Sequence, residues 1–250
     1  MTPVKVSIVN YTNTLPFRWA LKQWPLHYPA QISEDIPSEC ARKLLSGEVD
    51  LALVPVAIIN QLQSYEVVSD WCIGTEGKVD SVKLYAEVPV QDIKTVVLDY
   101  QSRSSVALTK VLFKEHWQHN VEFVPGYPGF ENEVKGSTAA VIIGDRTFAI
   151  NGTHAYEYDL AEQWKQLTGL PFVFAAWVST QQLPAAFVQE FNEIQAKGMA
   201  NIQQAISDSP PVNDYTHTQV LDYLTQRINY TLDAPKRKAM QLFLDKLKSL

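Results

Sequence analysis

Short, almost wholly apolar runs separated by helical segments constrain this chain more than any other feature. Asp50-Leu-Ala-Leu-Val-Pro55 and Leu170-Pro-Phe-Val-Phe-Ala-Ala-Trp-Val178 carry apolar residues on both faces, as strands do when a sheet is covered on both sides. Ahead of the first lie a β-rich run at 5–10 and a helical pattern at 15–24, with Pro16 tolerated in its first turn. A strand at 30–34 follows, then a helix at 39–46 closed by Gly47. Strand, helix, strand, helix, strand implies a parallel sheet.

Strands are expected at 67–73 and 82–86, around Gly74-Thr-Glu-Gly-Lys78, and Val88-Pro-Val-Gln-Asp92 reads as a linker. A second β/α series follows, with strands at 95–100, 121–124 and 139–145 and helices at 104–119 and 159–168. From Pro184 the pattern is helical, broken near Pro210-Pro211 and Asp233-Ala-Pro235. A helical tail cannot build its own sheet, so it packs back onto the first unit. The expected organisation is α/β and two-lobed: residues 1–88 with 179–250 form lobe 1, and 89–178 form lobe 2. Ligands of such folds bind between the lobes, where strand ends face one another.

Charge and composition narrow the function. Twenty-one Lys and Arg against 27 Asp and Glu give a net charge of −6, contrary to the basic face a nucleic-acid binder needs. No apolar run approaches the ~18–20 residues of a membrane span. The N-terminal residues lack the pattern of a secretory signal, so a cytoplasmic protein is expected, and Cys40 and Cys72 read as buried thiols rather than a disulfide. The Asn10-Tyr-Thr, Asn151-Gly-Thr and Asn229-Tyr-Thr sequons then carry no meaning. Phosphate loops, dinucleotide fingerprints, nucleophile elbows and zinc motifs are absent from the sequence. His116 and His119 have helical metal-ligand spacing but no third ligand nearby, and read as polar residues at a helix end. No cofactor or metal is expected.

Four places carry candidate chemistry. Asn10-Tyr-Thr-Asn13-Thr-Leu-Pro-Phe17 is a polar loop at the carboxyl end of the first strand, where Asn side chains cap a helix or face a ligand. Gly77-Lys-Val-Asp-Ser81-Val places a serine at a strand start. Asp99-Tyr-Gln-Ser102-Arg-Ser104-Ser105-Val sets three hydroxyls and an arginine at a helix N-terminus, which suits an anion. Ile143-Gly144-Asp145-Arg146 ends an apolar strand.

These four segments occur in this order, followed by Asp159-Leu-Ala-Glu-Gln-Trp-Lys-Gln-Leu-Thr-Gly-Leu-Pro-Phe-Val-Phe-Ala175. Together with Gly47-Glu-Val-Asp-Leu-Ala-Leu-Val-Pro-Val56, the set resembles the menaquinone-biosynthesis family of the futalosine route, and its chorismate dehydratase branch in particular. The likeness spans roughly residues 4–178. It implies the type II periplasmic-binding-protein fold and conversion of chorismate, a small-molecule dianion, to 3-[(1-carboxyvinyl)oxy]benzoate and water. By the resemblance Asn13 and Ser81 are the catalytic positions, and Asn10, Ser102, Ser104, Ser105, Gly144 and Asp145 surround the substrate. The chain departs from the family in the polar run Asn132-Glu-Val-Lys-Gly-Ser-Thr138 and in Arg146, where a small residue is common.

Such a reaction needs two carboxylates held, water excluded, and a proton and hydroxide helped to leave. No His or carboxylate stands out as the base. A carboxylate of the substrate itself is one candidate. Two alternatives share the fold: the sister dihydroxynaphthoate synthase, which is expected to need a His base, with His154 nearest here, and an exported solute-binding protein.

Overall fold

The computed structural model describes residues 2–212 and 215–250. The chain opens with β1 (Val4–Val9), α1 (Leu15–Gln23), β2 (Ala30–Asp35), α2 (Pro37–Leu45), β3 (Leu51–Pro55) and β4 (Glu66–Thr75). It continues with β5 (Val82–Ala86), β6 (Thr95–Leu98), α3 (Ser104–Val111), β7 (Glu122–Pro125), β8 (Thr138–Ile143), α4 (Thr147–Ile150), β9 (Tyr156–Asp159) and α5 (Leu160–Thr168). It ends with β10 (Phe172–Ser179), α6 (Ala185–Ala200), α7 (Ile202–Ser207), α8 (His217–Asp222), β11 (Asn229–Thr231) and α9 (Ala234–Leu247).

Two sheets result. The first runs β11-β4-β10-β3-β1-β2 and the second β7-β6-β8-β5-β9. The β1 strand is parallel to both neighbours, with Val4 opposite Ala30 and Val6 opposite Leu51, as the strand-helix-strand order requires. All residues of β3 and β10 are buried, which is why both read as apolar on two faces. β10 enters antiparallel between β3 and β4.

Two strands lie across the expected lobe boundaries at 88/89 and 178/179. β5 joins the second sheet, between β8 and β9, and β10 joins the first. The crossings therefore fall at residues 76–81 and 169–171. At the first, Asp80 adopts φ +62°, a left-handed conformation that Asp tolerates, and the chain turns out of the first sheet one strand early. At the second, Gly169 at φ +74° ends α5, and its N–H reaches Lys165 O at 2.8 Å. The tail is also not wholly helical, because β11 pairs with β4. The helix expected at 104–119 is α-helical only to Val111, then widens into a π-helical turn at Leu112–His116.

The tail is held to the first lobe by close packing. A β-carbon on Gly198 of α6 would sit 2.4 Å from Pro16 O, so only glycine allows α6 this near α1. Phe243 of α9 packs edge-on to Phe172 of β10, with ring centroids 5.0 Å apart.

Candidate active site

Residues from both lobes and from the first crossing converge on one cavity. From the first lobe comes the loop after β1, which forms a 3-10 turn at Thr12–Thr14. Thr14 fixes the turn by donating its hydroxyl to Val9 O and Tyr11 O, at 2.5 and 2.8 Å. The Tyr230 hydroxyl donates to Asn13 O at 2.9 Å. Asn13 caps no helix; its buried Oδ1 takes no hydrogen bond from the protein among the described residues.

Ser81 stands at the first crossing, directly before β5, and so belongs to the second sheet's side rather than to lobe 1. The segment is gripped from behind by Asp159, whose Oδ2 accepts from the Val79 and Asp80 N–H groups at 2.9 and 2.7 Å. The other oxygen of the same carboxylate caps α5 through Ala161 and Glu162. On the near side, Ser81 Oγ lies 2.7 Å from the hydroxyl of Tyr223 in the tail.

The second lobe supplies Ser102, Ser104 and Ser105 at the start of α3. Ser102 Oγ accepts from the Ser105 N–H at 3.1 Å. Ser104 does not cap the helix. Its buried hydroxyl donates to Phe174 O at 2.8 Å and accepts from the Ala57 N–H at 3.3 Å, and both partners belong to the first lobe. Gly144 follows β8 with φ +67°, and its N–H donates to Ser81 O at 2.9 Å.

Of the eight residues singled out in the sequence, Asn13, Ser81, Ser102, Ser104, Ser105 and Gly144 line one cavity. Asn10 does not reach it: the residue is exposed and its N–H is bonded to Asp35 O at 2.9 Å. Asp145 lies just outside, where both carboxylate oxygens accept from the Thr12 N–H at 3.2 Å and tie the lobes together. The cavity is also lined by Tyr11, Phe174 and aliphatic side chains, and measures about 60 Å³. That is far below the roughly 300 Å³ and upward of an open small-molecule site, so this is a closed arrangement.

No Asp, Glu, His, Lys or Arg lines the cavity among the described residues. The lining includes the Tyr11 phenol, which burial pushes far above its usual value. The Tyr11 hydroxyl hydrogen-bonds Gln101 of the second lobe. Charges are kept one layer back. Buried Asp99 accepts from the Gln101 and Ile143 N–H groups at 2.9 and 3.0 Å and pairs with Arg146. Burial nevertheless holds the Asp99 and Asp145 carboxyls above the ordinary range. Arg146 also pairs with Glu131 at 2.6 Å and lies over the Tyr100 and Phe130 rings at 5.5 and 5.7 Å. The departure noted at this position therefore has a local role: it clamps the turn behind Gly144.

Sequence reasoning missed two contributors. Tyr11 lies inside a quoted loop but carries no signature. Tyr223 comes from the tail, where nothing local announces that its hydroxyl meets Ser81. Nor do the described residues include a group of three or more His, Cys, Asp or Glu able to hold a metal. His116 faces Gln163 Oε1 at 3.1 Å and His119 faces Ile93 O at 2.7 Å, so the two rings turn to different partners. Cys40 and Cys72 are free and buried. His154 is paired with Glu87 and lies away from the cavity.

Comparison with known proteins locates the chain. A family model described as menaquinone biosynthesis matches residues 4–249. A chorismate dehydratase of Thermus thermophilus is 26% identical over 265 residues, spanning 99% of this chain and 96% of that protein. One of Campylobacter jejuni is 25% identical, spanning 97% and 96%. Among solved structures, a Candida albicans protein described as having the generic periplasmic binding protein fold superposes with a TM-score of 0.66. It is 12% identical, and the match covers 100% of this chain and 91% of that one, which shows the fold alone. The two-lobed α/β architecture is thus that of periplasmic binding proteins.

Proposed function

The chain belongs to the menaquinone biosynthesis family, and from that premise we propose that it is a chorismate dehydratase, a hydro-lyase acting on a small dianion in the cytoplasm. The near full-length relatives of that name support this reading over a sister synthase or a solute-binding protein. The observation that carries it is the uncharged character of the cavity: hydroxyls, an amide and backbone groups, enclosed between lobes, with no side-chain carboxylate or imidazole at its wall among the described residues.

Dehydration of chorismate removes a hydrogen and a hydroxyl from adjacent ring carbons. The C–H electron pair becomes a ring π bond, and the C–O bond breaks with its pair on oxygen. The proton and the hydroxide leave together as water. The new ring is aromatic, so the driving force is internal to the substrate and the reading assigns no cofactor. The protein's work is to hold the dianion, exclude water and stabilise the departing oxygen. In this reading Asn13 and Ser81, which line the cavity, take that last task. Ser102, Ser105 and the first amides of α3 suit a carboxylate, with the helix dipole favouring negative charge. With no side-chain base on the cavity wall among the described residues, a carboxylate of the substrate takes the proton and passes it to the departing hydroxide, which leaves as water.

The closed cavity is too small to admit the substrate. The lobes must part, which breaks the Ser104–Phe174, Tyr11–Gln101 and Thr12–Asp145 bonds and frees the Ser104 hydroxyl for the incoming anion. Steady-state assay of Asn13→Ala and Ser81→Ala with chorismate tests the assignment. Each should lower kcat/KM by roughly 10²-fold or more. Full activity in a folded variant removes that residue from the mechanism.

A further inference from the structure

Two tail tyrosines reach the catalytic pair: Tyr230 donates to the backbone Asn13 O, and the Tyr223 hydroxyl meets the Ser81 side chain. Tyr223 opens a π-helical turn, Tyr223–Arg227, which ends the helix begun by α8. Such turns concentrate at functional sites because they shift a side chain off the regular helical path. The same turn makes two contacts with the first crossing. Arg227 Nε pairs with Asp80 Oδ2 at 2.5 Å, and the Tyr223 hydroxyl meets Ser81 Oγ at 2.7 Å. The Tyr223 ring is fixed by Phe148 of the second lobe, edge-on with centroids 5.0 Å apart, and Phe148 is in turn stacked on Tyr215 at 4.3 Å.

Proton accounting at the Tyr223 hydroxyl gives its hydrogen bond a direction. A phenol has one proton to donate and lone pairs to accept with. Burial pushes its pKa far above the usual value, so it stays protonated across the working range. Among the described residues Ser81 Oγ is the one hydrogen-bond partner of this buried hydroxyl. The phenol proton is met only if it is given to Ser81 Oγ. Ser81 then has no use for its proton in the Tyr223 bond, and that proton is turned toward the cavity. Asn13, which lines the same cavity as Ser81, keeps a buried Oδ1 that takes no hydrogen bond among the described residues.

We infer that Tyr223 is a positioning residue that orients the Ser81 hydroxyl as a donor toward the departing oxygen of the substrate, alongside the unmet acceptor Asn13 Oδ1. A hydroxyl group on a ring carbon is itself donor and acceptor, and the Asn13–Ser81 pair presents its complement. The inference rests on the dehydratase reading. It adds a group from the tail that holds the Ser81 side chain, and it makes the alignment depend on closure, since the ring that seats Tyr223 belongs to the other lobe.

The test is Tyr223→Phe, alone and combined with Ser81→Ala, assayed with chorismate beside the wild type, with thermal stability measured on each. Tyr223→Phe keeps the ring and its packing. It should lower kcat roughly 10- to 100-fold while KM stays within about twofold. Added to Ser81→Ala it should lower the rate no further, because the group it orients is gone. Tyr223→Met fills the ring's place without a hydroxyl and carries the same expectation if Tyr223→Phe does not fold. A purely structural Tyr223 would change stability and leave kcat alone. Wild-type kcat in a variant lacking the hydroxyl, or a loss that adds in full to that of Ser81→Ala, overturns the inference and leaves the dehydratase reading standing. A wild-type protein that leaves chorismate unchanged overturns both.

Discussion

Gly144 and Tyr11 face each other across the lobes so closely that a β-carbon on residue 144 would lie 2.8 Å from Tyr11 Cε2. Gly144 also holds φ +67°, which L side chains rarely adopt. Both facts forbid a side chain here while the lobes are closed. Gly144→Ala should therefore lose roughly 1–3 kcal/mol from the backbone conformation and push the Tyr11 ring away from the second lobe. The expected outcome is a lower melting temperature together with a clear fall in kcat/KM. Unchanged activity would show that the closed contact is not the working one.

Ser104 is the buried bolt between lobes. Its hydroxyl serves Phe174 O and the Ala57 N–H at once. Ser104→Ala leaves both without that partner and should destabilise the protein by about 1–3 kcal/mol. It should also shift the closure equilibrium toward open, raising KM. Denaturant melts and substrate titration check the pair of effects. A stability change with KM unmoved would assign Ser104 to folding alone.

Much of the first lobe was legible because its signals are local. Pro16 in a first turn, Gly47 after a helix and the apolar run at β3 each fix an element within a few residues. The sheet to which β5 belongs was not, because it depends on pairing with β8 and β9, far along the chain. The short β9 and β11 likewise exist by virtue of their partners. The site divides in the same way. Asn13, Ser81 and the serines before α3 sit at strand ends, where ligands are expected, and six of eight such residues meet in one cavity. Asn10 is also at a strand end but is turned outward, and Tyr223 arrives from a segment with no motif at all.

Burial gives Asp145 a testable pH signature. Its carboxyl is held above the ordinary 3.8, with burial the largest cause and the Thr12 bonds opposing it. Below 3.8 both folded and unfolded chains hold the proton, and the group contributes nothing to the pH dependence. As pH rises through that value the unfolded chain releases its proton first, so the fold loses relative stability until the folded carboxyl has also ionised. Asparagine has no proton to lose. The stability of Asp145→Asn relative to wild type should therefore improve between about pH 3.5 and pH 7, as read by urea melts at both. A difference that is constant, or that moves the other way, contradicts the assignment.

Cys40 and Cys72 are both buried, and burial pushes their thiols up to about 12. Only the thiolate reacts, so at pH 8 neither should be labelled by a thiol reagent in the native protein. Both should react once denaturant is added. Rapid labelling of either in the native state would contradict the packing of α2 or β4 described above.

The central claim is that this closed, uncharged cavity dehydrates chorismate. Purified protein, dialysed exhaustively against a chelator, is incubated with chorismate while aromatic absorbance and product mass are followed. The account predicts a single aromatic product lighter than the substrate by one water, formed at the rate seen before dialysis. Chorismate recovered intact, or conversion that returns only when a divalent ion is added back, would contradict it.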